Sequence, residues 1–160
     1  MSKMRSLKKD IIINAPLEIV FARMDDLSKT GMHMSKNSMM MMGSKLALEQ
    51  LPGPSHGLGA SFHWSGSVVG MSIDITETVT KWALNQEKIW ETIGTPKIII
   101  LGWYRMILKT EAVKEGTEAS LQIDYTKPRG AFRIILYYLL SHWYCNWCLD
   151  NMLNDTKNAF

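Results

Sequence analysis

The sequence has no uninterrupted apolar run of about 20 residues, the length that a membrane-spanning helix needs. Its densest apolar stretch, Phe132 to Leu149, is broken by Arg133, His142 and Asn146. The N-terminus carries Lys3, Arg5, Lys8 and Lys9, but only Ile11-Ile12-Ile13 follows before Asn14 and Pro16. A secretory apolar region takes about 7–15 residues, so none is read here and the expected compartment is the cytoplasm. Cysteine is scarce: Cys145 and Cys148 stand together at one place, which is no disulfide framework. Charge of one sign is not massed either. The net charge is +3, and Lys8, Lys9, Lys45, Lys109 and Lys114 are dispersed among acids, which argues against a nucleic-acid partner. The small excess would still favour an anionic surface.

Catalytic signatures are also missing. No Gly-x-Ser-x-Gly elbow and no His-Glu-x-x-His pair occurs. His56-Gly57-Leu58-Gly59 is glycine-rich but lies between two expected strands and lacks the Lys-Ser/Thr of a phosphate-binding loop. Cys145-Asn146-Trp147-Cys148 is formally a CxxC, yet it falls inside an expected helix, in register with Leu149, Met152 and Leu153. A redox pair needs a helix N-terminus to depress its thiol pKa, and a structural zinc site needs a second ligand pair. With His142 nearby unsupported, the two cysteines read as small core residues. No metal or other cofactor is expected.

What is present is a single domain over 1–160, with 46% hydrophobic residues. Lys8 to Asn14 is a first strand. Asn14-Ala15-Pro16 then starts a helix, with Asn14 or Ala15 near the cap and Pro16 in the first turn. Leu17, Val20, Phe21 and Met24 form its buried stripe. A short second helix or turn is read around Leu27 to Ser35. The apolar period then drops to two, giving strands over Met40 to Leu51, Gly59 to Ser67, Met71 to Trp82, Gln86 to Gly94, Ile98 to Val113 and Thr117 to Thr126. Lys127-Pro128-Arg129-Gly130 ends the sheet and a long helix follows. Phe132, Ile135, Leu136, Leu139 and Leu140 make one stripe of it, and Cys145, Cys148, Leu149, Met152 and Leu153 another. The phase shift near Ser141 to Trp143 predicts a kink or break.

Short steps between strands force antiparallel neighbours, and the last helix must cover the apolar face. The expectation is an α+β chain: a strongly curved seven-stranded antiparallel sheet around a long C-terminal helix, with one or two short helices after the first strand. Side chains or a ligand must fill the concavity.

This order resembles the START-like, or SRPBCC, superfamily, which includes Bet v 1-like proteins and the polyketide cyclase/dehydrase group. The residues that carry the likeness are Ile13-Asn14-Ala15-Pro16 with Val20-Phe21 and Asp26, then Leu58-Gly59-Ala60 and Gly66 to Gly70. Thr78-Val79-Thr80-Lys81-Trp82, Gly116-Thr117 and the closing helix complete it. After Asp26, where relatives often place a tryptophan, the chain departs with Thr30-Gly31-Met32-His33-Met34. The resemblance implies a helix-grip fold with a hydrophobic tunnel that holds lipids, sterols, polyketides, quinones or hormones. In some members it implies cyclisation or dehydration inside that tunnel.

Strand parity nominates the lining. Met71, Ile73, Ile75 and Val79 share a face with Glu77, whose carboxylate would be costly there unless paired or hydrated. It reads as a polar anchor or general acid/base, set against a carboxylate near the strand end that reaches solvent, the commoner situation for a glutamate. Tyr125 shares parity with Ala119, Leu121 and Ile123, and Tyr104 with Met106 and Leu108, so both hydroxyls are candidates to enter the cavity. Phe62, Trp64 and Val68 face opposite to Ser61, His63 and Ser65, which leaves His63 on the surface. The facing of Trp90 and Glu91 stays open. The expected ligand-binding set is Phe62, Trp64, Met71, Ile73, Ile75, Tyr104, Met106, Ile123 and Tyr125, with Leu136, Leu139 and Trp143 from the helix. Adaptable Met42, Met71 and Met106 would suit several guests.

Two functions follow. One is an intracellular carrier or sensor of a hydrophobic small molecule. The alternative is a cyclase/dehydratase-type enzyme in which Glu77 moves a proton while Tyr125 or Tyr104 holds an oxygen. A third reading takes the aromatics of Phe132 to Trp147, with Arg129 and Arg133, to a membrane surface or a dimer interface. A helix that covers the cavity accounts for the same residues.

Overall fold

Residues 3–26, 45–68 and 71–160 are described by the computed structural model. Alternating side chains set seven strands: β1 (Arg5–Ile13), β2 (Lys45–Gln50), β3 (Ser61–Val68), β4 (Met71–Ala83), β5 (Glu87–Lys97), β6 (Tyr104–Val113) and β7 (Gly116–Tyr125). Among the described residues two helices join them, α1 (Leu17–Asp25) after β1 and α2 (Ala131–Lys157) at the end. All strand pairs are antiparallel, in the order β1-β7-β6-β5-β4-β3-β2. Among the described residues, β1 makes the one pairing between strands distant in sequence, setting Arg5 against Tyr125 and Ile13 against Thr117. The seven-stranded helix-grip architecture is therefore as expected.

One face of the sheet carries the core. Trp64, Ile73, Ile75, Val79, Trp90, Met106, Leu108, Leu121 and Ile123 are buried there, together with Val20, Phe21 and Met24 of α1 and Cys145, Leu149, Met152 and Leu153 of α2. On the opposite face Asp124 ties three strands. Its Oδ1 accepts from Gln122 at 2.7 Å and from Ser6 of β1, and its Oδ2 accepts from Arg105 Nη2 of β6 at 2.7 Å. Burial works to raise this carboxyl, but the Ser6, Gln122 and Arg105 hydrogen bonds outweigh it and hold Asp124 below the usual range.

Several boundaries differ from expectation. α1 starts at Leu17, with Pro16 as its flanking residue, because the Pro16 carbonyl already accepts from Ile19 and Val20. β5 continues past Gly94-Thr95-Pro96 to Lys97, pairing Lys97 with Asp74. Its other side pairs with β6 only from Glu87 to Glu91, so Pro96 sits on a free edge where its missing N–H is tolerated. β6 starts at Tyr104 rather than at Ile98. The chain between them turns, with Ile98 and Leu101 buried as plugs.

α2 runs 27 residues without a break, about 40 Å. The expected break near Ser141 to Trp143 is not there. Tyr137, Ser141, Cys145, Cys148, Met152 and Thr156 form one buried row at helical spacing. The stripe of Phe132, Ile135 and Leu139 lies on a different side of the same helix. The expected segment Leu27 to Ser35, the strand start at Met40, Met42 and Thr30 to Met34 lie outside the described residues.

Candidate functional site

β4 presents Ile73, Ile75, Glu77 and Val79 to the interior by plain alternation. Glu77 is only 5% exposed. Its Oε1 accepts a hydrogen bond from the Tyr104 hydroxyl. Burial raises the Glu77 carboxyl, while hydrogen bonds from Tyr104 and Trp64 and the charge of Lys88 pull it back in part. Burial, followed by the neighbouring Glu77 charge, also pushes the Tyr104 hydroxyl well above its ordinary value.

Tyr104 stands where the β5–β6 ladder stops. The last backbone pair is Glu91 with Arg105, and the next contact is made by a side chain instead. Thr92 Oγ1 accepts from the Tyr104 N–H at 3.3 Å and lies 3.4 Å from its carbonyl. A buried threonine thus replaces a ladder step and fixes the tyrosine beside Glu77.

The second charge in the interior is Lys88, 1% exposed. Its ammonium lies 2.8 Å from Asp25 Oδ1, an ion pair by distance with poor hydrogen-bonding angles, and donates to the Asp25 carbonyl at 2.6 Å. It also sits 5.1 Å from the Trp90 ring centroid. Burial lowers the Lys88 pKa, and Asp25 and then Glu77 oppose that shift. Asp25 is oriented in turn by Trp82 Nε1, which donates to its Oδ2 at 3.1 Å. The end of α1 and the strands β4, β5 and β6 therefore converge on one polar cluster: Glu77–Tyr104 and Lys88–Asp25.

Next to this cluster lies a cavity of about 940 Å³. Phe21, Leu48, Phe62 and Trp82 form apolar walls, and Asp25 and His56 add polar ones. Phe62 pairs across the β3–β4 register with Glu77, and Asp25 is shared with Lys88. The cavity and the buried charges are thereby connected through two residues.

The nominated lining residues fall into three groups. Trp64, Ile73, Ile75, Tyr104, Met106 and Ile123 are buried on the concave face, with Met71 half-buried at its end and Phe62 on the cavity wall. Tyr125 is buried but is turned toward α2, beside Ser141, Arg5 and the Tyr137 ring at 6.0 Å. Although Tyr125 pairs with Tyr104 in register, only Tyr104 reaches Glu77. Leu139 and Trp143 require correction. They are 71% and 53% exposed, because the face of α2 that meets the protein is the Tyr137–Ser141–Cys145 row. Leu136 is half-buried at the margin of that row.

Elsewhere, His63 is on the outer side, 2.8 Å from Asp74. Cys145 and Cys148 are buried free thiols, and burial pushes Cys148 up to about 12 and Cys145 higher, which disfavours the nucleophilic thiolate. Sequence reasoning missed Lys88, Asp25 and Thr92. The available signal was Lys88-Trp90-Thr92 at one parity, with Asp25 at the end of a buried helix.

No family model matches the sequence, and no curated protein matches it. Solved structures do. An aromatase/cyclase, ZhuI from Streptomyces sp. R1128, superposes with a TM-score of 0.74 over 98% of this chain and 93% of its own, at 11% identity. Truncated norcoclaurine synthase from Thalictrum flavum gives 0.67 over 99% and 94%, at 10% identity. Ara h 8.0201 gives 0.64 over 96% and 98%, also at 10%. Identities this low speak to architecture rather than activity: the protein has the Bet v 1-like, SRPBCC helix-grip fold.

Proposed function

We propose that the protein binds a hydrophobic small molecule, of lipid, polyketide, quinone or isoprenoid type, in the cavity between α1 and the β2–β3–β4 side of the sheet, next to the buried Glu77 carboxyl. A carboxyl buried beside Trp64 and Tyr104 is the observation that carries this reading. Such a group gains nothing for folding alone, since an apolar side chain there would avoid its desolvation. It does suit a guest with one oxygen to anchor and an oily body, held in a pocket of ordinary ligand size. As carrier or sensor, the protein needs no covalent step. Mass spectrometry of material extracted from the purified protein tests the reading. A stoichiometric apolar compound is expected, and consistently empty protein that takes up nothing from a lipid and polyketide panel would overturn it.

A second reading, cyclase/dehydratase-type proton transfer, is favoured by the pairing of Glu77 with Tyr104. The carboxyl, raised by burial, would take or give a proton while the Tyr104 hydroxyl held a developing oxyanion. Tyr104 replaces Tyr125 in that role on geometric grounds. An aromatase/cyclase on this fold, and norcoclaurine synthase in complex with dopamine and hydroxybenzaldehyde, lend support by analogy. Glu77→Gln separates the readings. Binding retained with turnover lost by about 100-fold or more supports catalysis; a wild type that binds candidates without converting them leaves the carrier.

A further inference from the structure

We propose that the N-terminal half of α2 docks along an anionic lipid bilayer. Phe132, Ile135, Leu139 and Trp143 recur at i, i+3, i+7 and i+11, so they share one side of the helix. Each is more than half exposed, and Tyr138 and Leu140 flank them. Exposed to this degree, they are not packed against the sheet, so the ordinary explanation for apolar residues on this helix does not apply to them. A contiguous exposed patch of this kind marks an interaction surface.

The charge around the stripe identifies what it meets. No acidic residue occurs between Asp124 and Asp150, and the first turn of α2 has none. Lys127, Arg129 and Arg133 lead into the helix, and with Lys97 they line a cleft of about 450 Å³ at its start. Among the described residues none of the four forms an ion pair. Arg133 has a single 3.5 Å contact to the Ile98 carbonyl. Apolar and aromatic side chains beside uncompensated cations are what an interfacial helix presents to anionic headgroups.

A second copy fits less well. Two α2 stripes paired antiparallel about Tyr138 would set Arg129 and Arg133 against residues 147 and 143 of the other chain. Neither those nor the residues between them carry an acid. A parallel pairing would set cations against cations. Headgroup phosphates supply the missing charge in both cases. Among the described residues no helix is long and apolar enough to cross a membrane, so α2 lies on the surface.

Flotation with phosphatidylcholine vesicles, with and without phosphatidylglycerol, at low and high salt, tests this. Binding is expected only with phosphatidylglycerol, and it should weaken several-fold in high salt. The double variant Lys127→Glu/Arg129→Glu should bind more weakly by over tenfold, since each cation near such a surface is worth roughly fivefold in affinity. The triple variant Phe132→Ser/Leu139→Ser/Trp143→Ser should not float at all, yet should melt like wild type because all three positions are exposed. Three results would overturn the proposal: no flotation of wild type with phosphatidylglycerol, undiminished flotation of the serine variant, or a wild-type dimer that never floats and that the serine variant dissociates. The last would assign the face to a second copy.

Discussion

Glu77 and Lys88 bring opposite charges into one concave face without forming a direct ion pair; each is held by its own partner, Tyr104 and Asp25. The consequence is a pH signature. Burial raises the Glu77 carboxyl, so the folded state keeps that proton more tightly than the unfolded chain does. Its favourable contribution is complete below the ordinary value of 4.5 and is lost as pH rises through the higher folded value. Lys88 acts in the opposite direction. Its depressed folded pKa costs stability at neutral pH, and that cost fades as pH climbs toward 10.5. Glu77→Gln preserves size and an acceptor for Tyr104 while removing the ionisation. Above 4.5 the variant should become progressively more stable than wild type, the gap widening with pH until the folded carboxyl is ionised. Urea unfolding at a series of pH values checks this, and parallel curves for the two proteins would show that Glu77 titrates normally. The inward facing of Glu77 was legible from period two in β4, where one face is apolar and the other is threonine and aspartate. That of Lys88 was not, because β5 carries bulky apolar residues at both parities: Ile89 and Ile93 on one, Trp90 on the other. Only the neighbouring strands break such a tie.

The same distinction operates at the scale of elements. Where hydrophobic period and turn chemistry agreed, as in β4, β7 and α1, the elements fell within a few residues of expectation. The start of β6 differs because Ile98-Ile99-Ile100-Leu101 has strand composition but bends, with Ile98 and Leu101 buried and the two residues between them half-buried. In α2 two stripes at different phases suggest a kink or break, whereas one continuous helix has room for a face toward the sheet and a face toward solvent. The β6–β7 hairpin carries a constraint that only the structure makes visible. Gly116 has φ +130°, and a Cβ there would lie 2.3 Å from the Ile13 carbonyl oxygen and 3.0 Å from the Ala15 nitrogen. The obstacle is backbone of β1, so no side chain can move aside. Beside it, Thr117 Oγ1 donates to the Ala15 carbonyl at 2.8 Å. Hairpin and β1–α1 corner are thus one joint. Gly116→Ala should destabilise the fold by roughly 2–4 kcal/mol, read as an earlier urea midpoint with a similar slope. A midpoint within error of wild type would mean that β1 yields freely.

Across the whole molecule, α2 packs along β1 and β7 and touches α1, while the inward-facing Glu77 and Lys88 sit on β4 and β5. The helix thus secures one side of the sheet, and the cavity walled by Phe21, Phe62 and Trp82 opens beside the other. This division lets the protein hold a guest without dismantling the contacts that stabilise it. A ligand that binds only the folded state stabilises by mass action, about 2.7 kcal/mol at a hundredfold excess over its dissociation constant. For a domain of this size that is a rise of roughly 5–10 °C in melting temperature. The fluorescent apolar anion anilinonaphthalene sulfonate is a suitable probe, and it should bind the native protein saturably with such a rise. Two variants locate it. Ala22 is an exposed residue on the cavity wall, so Ala22→Trp fills the opening without straining the core. That variant should melt like wild type alone and lose most of the probe-induced rise. The α2 serine variant alters a distant surface and should keep it. If Ala22→Trp left the rise intact while the serine variant removed it, the apolar guest would belong on the outside of α2, and the interior polar cluster would have to be explained without one.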